Sequence, residues 1–324
     1  MKYLTFFVLL VMVFSCETDL ENTKLSGPVF GTSYTIIYDG EMDYTEQIDS
    51  LFETVNQSLS TYIPNSDISK INRNEPTAID EHFKLVLDAS KRIHKATNGA
   101  FDPTIGIVVN AWDFGPEGKI VELDSMKIDS MMQYVGFDKV NRVDDKVLKM
   151  QGAFLDFNAI AKGYGVDVIG TFLESQGIQN YLVEIGGEIR VKGQNLEKGS
   201  PWKVGLDEPR FDGEQSVYKA ISLKDEAMAT SGTYRKFKVD DQGNRYAHII
   251  NTETGYPTKT NVLSVSVIAE DCMTADAYAT AFQAMGIEKV SSFLETHPDI
   301  KVFFIYENDD KALETLSSNN FPKD

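Results

Sequence analysis

Strand pairs joined by tight turns alternate along this chain with long amphipathic helices, and that interleaving limits its fold more than any other feature. Over residues 44–62 the apolar Ile48, Leu51, Phe52, Val55 and Leu59 recur at three- and four-residue spacing, which predicts an amphipathic helix. Residues 81–97 repeat the pattern with Phe83, Val86, Leu87 and Ile93, and Asn98-Gly99 stops it. IDSMMQYVG predicts a shorter helix, and residues 159–175, 271–286 and 287–296 predict three more. Between them, GPVFGTSYTIIYDG alternates like a strand that ends in a turn at Asp39-Gly40, and KVLKMQGAFLDF reads as a turn between two strands. NYLVEIGGEIRVKGQ is a strand, a Gly-Gly break and a strand, and TYRKFKVDDQGNRYAHIIN is a hairpin turning at residues 241–244. NVLSVSVIA feeds directly into the helix at 271, and IKVFFIYE follows Pro298 as a buried strand. Hairpins mixed with helices predict an α+β protein with antiparallel or mixed sheets and packed helices, not a repeating βαβ unit.

No linker interrupts residues 27–324, so one composite domain is expected there, and 42% hydrophobic residues suffice for a large core. The 31 basic and 49 acidic residues give a net charge of −18, which repels nucleic acid. An anionic ligand then needs local donors, a helix N-terminus or a bridging cation. The first 15 residues, Lys2 and then an apolar run from Leu4 to Phe14, have the layout of a secretory signal. Ser15-Cys16 with Val13 upstream resembles the lipobox of bacterial lipoproteins, which implies lipidation of Cys16, a polar tether over residues 16–26 and a periplasm-facing position in the cell envelope. A plain secretory signal is the alternative. Cys272 is the second of two cysteines, so a lipidated Cys16 leaves no intramolecular disulfide.

The stretch DCMTADAYATAFQAMG places Asp276, Thr280 and Gln283 on one face of an otherwise apolar helix that Thr274 can cap. A first-turn carboxylate is favoured by the helix dipole alone; a hard cation held by Asp276 and Thr280 is the other reading. In FLDFNAIAKGYGVDVIG a strand ends at Asp156 and a helix begins near Ala159, with Lys162 one turn in, an arrangement able to hold phosphate. Trp112 and Phe114 flank Asp113 in a turn-rich loop, either as core or as walls for a flat ring. Tyr62 sits at a helix end beside Pro64. Of the four histidines, His82 and His94 are expected at the surface or rim, His297 at a helix end, and His248 beside a Thr-Gly turn. So few and so scattered histidines argue against a zinc site or a Cys-His pair, and no G-x-S-x-G elbow occurs.

Eight segments in order, FGTSYTI, STYIPNSDISKIN, GAFDPTIG with WDFGP, DFNAIAKGYGVD, EIGGEIRVKG, ATSGTYRKF, HIINTETGYP and MTADAYATAFQAMG, resemble the ApbE family of flavin transferases from about Gly27 onward. The resemblance implies binding of FAD and Mg²⁺, and transfer of FMN through a phosphoester bond to a threonine of a target protein with release of AMP. By the same resemblance, Asp276, Thr280 and the Ala159 carbonyl match metal ligands. Phe30, where the family usually has Met, and Tyr62, Ala100, Phe101, Asp102, Asp156, Lys162 and Ile250 match FAD contacts. His248 and Asp276 are implied as catalytic. Implied partners are flavinylated subunits of membrane redox complexes such as the sodium-pumping NADH:quinone reductase. An FAD pyrophosphatase and a non-catalytic, lipid-anchored FAD-binding protein stand as alternatives.

Overall fold

The computed structural model of the protein describes residues 22–118, 120, 122–214, 216–234, 237–239, 245–318 and 320–323. The leader, Cys16 and the turn expected at 241–244 lie outside these residues. The chain opens with the strands Asn22–Val29 (β1) and Thr32–Asp39 (β2), followed by helices Thr45–Leu59 (α1), Asp67–Asn72 (α2), Glu81–Ala96 (α3), Gly106–Ala111 (α4) and Ser125–Met132 (α5). A short hairpin, Asn141–Val143 (β3) and Lys146–Leu148 (β4), leads to Ala161–Ser175 (α6). Then come strands Tyr181–Ile185 (β5), Glu188–Lys192 (β6), Trp202–Asp207 (β7), Val217–Leu223 (β8), Ala227–Gly232 (β9), Phe237–Val239 (β10), Arg245–Ala247 (β11) and Val262–Ala269 (β12). The helix Cys272–Leu294 (α7) and strands Lys301–Glu307 (β13) and Leu313–Ser318 (β14) end the fold.

Eight strands form one sheet in the order β1-β2-β5-β6-β9-β12-β13-β14, antiparallel at every pair. The α+β expectation therefore holds, and the reason is visible in β5. Tyr181, Val183 and Ile185 alternate toward the helix layer, where α1 and α6 cover them, while Leu182 points to the opposite face. On that face the β7–β8 hairpin closes a second core around Trp202, Ile221 and Met228. The helix layer is thickest over β12, whose Val265 and Val267 pack with Phe282, Phe293 and Phe304. Each such fully buried side chain contributes about 1.5–3 kcal/mol. No helix among the described residues is long and apolar enough to cross a membrane.

Four expectations change. GPVFGTSYTIIYDG is not one strand but a hairpin, because Phe30 and Gly31 both take positive φ, 49° and 75°, the geometry of the tight turns that join twisted strands. The hairpin also takes in Asn22–Ser26, residues expected in the tether. In KVLKMQGAFLDF only Lys146–Leu148 is a strand; farther on, the Asn72 side chain binds both Leu155 N and Leu155 O at 2.8 Å and so takes the place of a strand partner. The two helices expected at 271–286 and 287–296 do form, joined at a kink at Gly286 (φ 76°), with the second ending at Leu294. Finally, α6 starts at Ala161 and not at Ala159, since Ile160 N and Ala161 N both bond to Phe157 O in a preceding turn.

Candidate active site

The site is built on α7, which enters the fold between two carboxylates. Asp271 accepts from Thr274 N at 2.7 Å, and Asp167 of α6 accepts from Cys272 N and Met273 N at 3.0 and 2.8 Å. Three amides that a helix start leaves open are thereby satisfied. Thr274, expected as the cap, instead donates its hydroxyl to Asp271, because Asp271 is the last extended residue and only its side chain can fold back over the first turn.

One turn further, Asp276 is 6% exposed and accepts from Gly163 N at 3.0 Å. Asp276, Thr280 and Ala284 line a cavity of about 830 Å³. Gln283, expected to share their stripe, lies in the core and donates to Val262 O. Helical rotation explains the split: four residues overshoot a turn by about 40°, while seven fall about 20° short of two turns, so Gln283 drifts toward the sheet and Thr280 and Ala284 away from it.

All twelve chain residues that the sequence singled out for cofactor, metal or catalysis within the folded part line this one cavity. Phe30 comes from the β1–β2 turn and packs edge-on to Phe52 of α1, while Tyr62, 56% exposed, stands at the rim. Ala100, Phe101 and Asp102 come from the loop after α3. Asp102 has its oxygens engaged by Thr104 N and Phe137 N at 2.8 and 3.0 Å, so it shapes the loop from within. His94, expected at the surface, supports the same loop: its Nδ1 donates to Phe101 O at 2.9 Å and lies 3.6 Å from Asp102. Asp156, Ala159 and Lys162 come from the turn into α6, held by Asn158 N on Asp156 and by Asp156 N on Pro103 O. His248 and Ile250 follow β11; His248 meets the ring of Phe114 edge-on at 6.2 Å. Phe114 is a cavity wall, whereas Trp112 lies behind it and donates Nε1 to Gly255 O. Thr252 donates to Gly99 O at 2.7 Å and fastens the His248 segment to the Phe101 loop.

The polar end of the cavity holds two buried carboxylates, Glu188 and Asp276, and a half-buried lysine, Lys162. Lys162 Nζ lies 2.6 Å from Glu188 Oε1. Burial, and after it the neighbouring Glu188, holds the Asp276 carboxyl well above the usual carboxylate range, while Lys162 and the Gly163 amide pull it back. Glu188 was not singled out from the sequence. Its signal was there: in Glu188-Ile189-Arg190-Val191-Lys192 the charged positions alternate with apolar ones, so all three charges face the side that α6 covers. Asn56, Ser60, Thr230 and Ser231 also line the cavity, and nothing in their local sequence marks them. Among the described residues no group of three His, Cys, Asp or Glu side chains forms a metal centre.

The sequence model of the ApbE family matches residues 30–304. The chain belongs to the ApbE family. Its relatives include a Vibrio cholerae protein named FAD:protein FMN transferase, 39% identical over 97% of this chain and 96% of that one. A Haemophilus influenzae protein of the same name is 36% identical over 95% and 93%. Among solved structures, the flavin transferase ApbE from Vibrio cholerae superposes with a TM-score of 0.84 at 37% identity, covering 93% of this chain and 98% of that one. The apo form of the Pseudomonas stutzeri flavinyl transferase ApbE gives 0.82 at 29%, covering 92% and 95%. The α+β architecture described above is thus the ApbE fold.

Proposed function

We propose that this protein is a magnesium-dependent FAD:protein FMN transferase, which attaches FMN by a phosphoester bond to a threonine of a target redox protein and releases AMP. The observation that carries the reading is the convergence, in one cavity, of an aromatic wall, a Lys-Glu-Asp cluster whose two carboxylates are buried, and a histidine, drawn from segments far apart in the chain. The volume suits a dinucleotide, near the upper end of the roughly 300–1,000 Å³ of small-molecule pockets. The names of the relatives point to the same substrate.

The residues present fit a magnesium ion. Asp276 is a buried carboxylate with one oxygen taken by the Gly163 amide, Thr280 stands one turn along the same face, and Ala159 lines the same cavity. Carboxylate, hydroxyl and carbonyl are the hard oxygen donors this ion prefers. When bound, it would neutralise pyrophosphate charge and stabilise the departing phosphate. The chain's own residues supply the rest. Phe30, Phe114 and Tyr62 offer surfaces for the flavin and adenine rings, and Lys162, paired with Glu188, stands at the polar end where the phosphates would lie. The threonine oxygen of the acceptor attacks the FMN-side phosphorus; the bond from that phosphorus to the bridging oxygen breaks, and AMP leaves with the electron pair. His248 takes the hydroxyl proton.

The acceptors fitting this chemistry are flavinylated subunits of membrane redox complexes such as the sodium-pumping NADH:quinone reductase, and lipidation at Cys16 would hold the enzyme on the periplasmic side of the envelope, beside them. Incubating the protein with FAD, Mg²⁺ and such a subunit is expected to give covalent flavin fluorescence on the subunit and one AMP per flavin. Free FMN with no labelled subunit would instead make it a pyrophosphatase, and a stoichiometric FAD complex without AMP a carrier. Labelling cells with a fatty-acid analogue tests the anchor: the wild-type chain is expected to take it up and Cys16→Ala not to.

A further inference from the structure

Among the described residues lining the cavity there is one lysine and no arginine, against four carboxylates, Asp102, Asp156, Glu188 and Asp276. The lysine is held by one of them, Lys162 Nζ to Glu188 Oε1 at 2.6 Å. Glu188 is 2% exposed, and its Oε2 has no hydrogen-bond partner. A buried carboxylate with one oxygen unpaired is a costly way to anchor a lysine that is itself a third exposed to water; a glutamine carbonyl in the same place would accept the same hydrogen bond without a buried charge. The charge of Glu188 therefore calls for a reason beyond folding. Its electrostatic effect is plain: it cancels the one ammonium that an incoming anion would meet, in a chain whose net charge is −18.

We propose that Glu188 is a positioning residue that keeps Lys162 neutralised, so that the cavity accepts a pyrophosphate ligand only together with a divalent cation. The identity of that ligand as FAD rests on the flavin-transferase reading above. Without the charge at residue 188, more of the Lys162 charge would act on the pyrophosphate, with Asp276 still beside it, and FAD would bind more tightly in the absence of metal. With it, the dinucleotide gains little from the wall until a cation offsets the carboxylates. Binding of dinucleotide and of cation thus become one linked event, with each raising the other's affinity by the same factor.

The test is FAD affinity, read from flavin fluorescence quenching in saturating Mg²⁺ and in excess EDTA. For the wild-type protein EDTA is expected to weaken binding on the order of tenfold or more. In Glu188→Gln the EDTA penalty is expected to shrink to about twofold, because affinity without metal rises when the neighbouring charge is gone. Adding Lys162→Met to Glu188→Gln is expected to abolish that gain. A merely structural role for Glu188 would instead weaken binding in both conditions alike, and that result would overturn the proposal. Equal wild-type affinity in Mg²⁺ and EDTA would overturn it without any variant, and leave the flavin reading intact. No wild-type binding of FAD even with Mg²⁺ would remove the flavin reading itself, and this proposal with it. Glu188→Ala provides the same comparison if Glu188→Gln does not melt cooperatively.

Discussion

Gly163 lies so close to Asp276 that a Cβ on it would stand 2.8 Å from the Asp276 Cβ and 2.3 Å from the Cys272 carbonyl oxygen, while its amide donates to Asp276 Oδ2 at 3.0 Å. The contact of α6 with α7 and the aim of the carboxylate therefore depend on one missing methyl group. Since the obstructing atom is backbone, Gly163→Ala must push the helices apart. It is expected to cost about 1–3 kcal/mol of stability and to lower flavin transfer more than tenfold. Thermal melting and a transfer assay measure the two effects.

Gly165, two residues on, makes the contrasting case. A Cβ there would meet the Phe30 ring at 2.6 Å, and a side chain can turn away where a carbonyl cannot. Gly165→Ala is expected to leave the fold nearly as stable, shift Phe30 and weaken FAD binding by a few-fold to tenfold. Fluorescence titration beside a melting curve separates these effects; a large loss of stability with unchanged FAD affinity would contradict the placement of Phe30 on the cavity wall.

Asp276→Ala removes a carboxylate whose charged form burial opposes but also leaves the Gly163 amide without its acceptor. The two effects offset, and the metal-free protein is expected to stay folded and melt close to the wild type. Its magnesium-dependent transfer is expected to fall by about a thousandfold or more. Transfer at the wild-type rate would exclude the role given to Asp276.

His248→Gln tests the proton acceptor. The side chain faces the cavity beside Phe114, so its removal is expected to lower kcat by about 10²–10⁴ while FAD affinity changes little. Loss of affinity with kcat preserved would make His248 a binding residue.

Stability should carry a pH signature from Asp167. Burial pushes its carboxyl from 3.8 up to about 6, against the opposing pull of the Cys272 and Met273 amides and of Arg190. Between those values the folded protein holds a proton that the unfolded chain has released. The contribution is thus fully present below pH 3.8 and is lost as pH rises toward 6. Asp167→Asn is expected to flatten this part of the stability curve, as urea denaturation across that range would show.

Much of the fold could be read from periodicity because alternation of two and of three to four residues is a local property. It located α1, α3, β5, β6 and β12 closely. It did not reveal α2, α4 or the β7–β8 hairpin, which are short or carry exposed apolar residues such as Val217 and Tyr218 that blur the pattern. It also misread residues 151–157, where the backbone N–H and C=O of Leu155 are satisfied by the side chain of Asn72, some eighty positions away.

The candidate site divides along the same line. Sequence alone determined the residue types and their order: the eight motif segments, the polar positions on an apolar α7, and a charge balance that bars a free anion. Tertiary structure alone decided that these segments meet around one cavity, that Gln283 turns to the core while Thr280 turns to the cavity, and that Glu188 holds Lys162. The physical reason is that hydrophobic patterning specifies which face of each element is buried, whereas the partner a buried charge finds depends on how two distant elements cross.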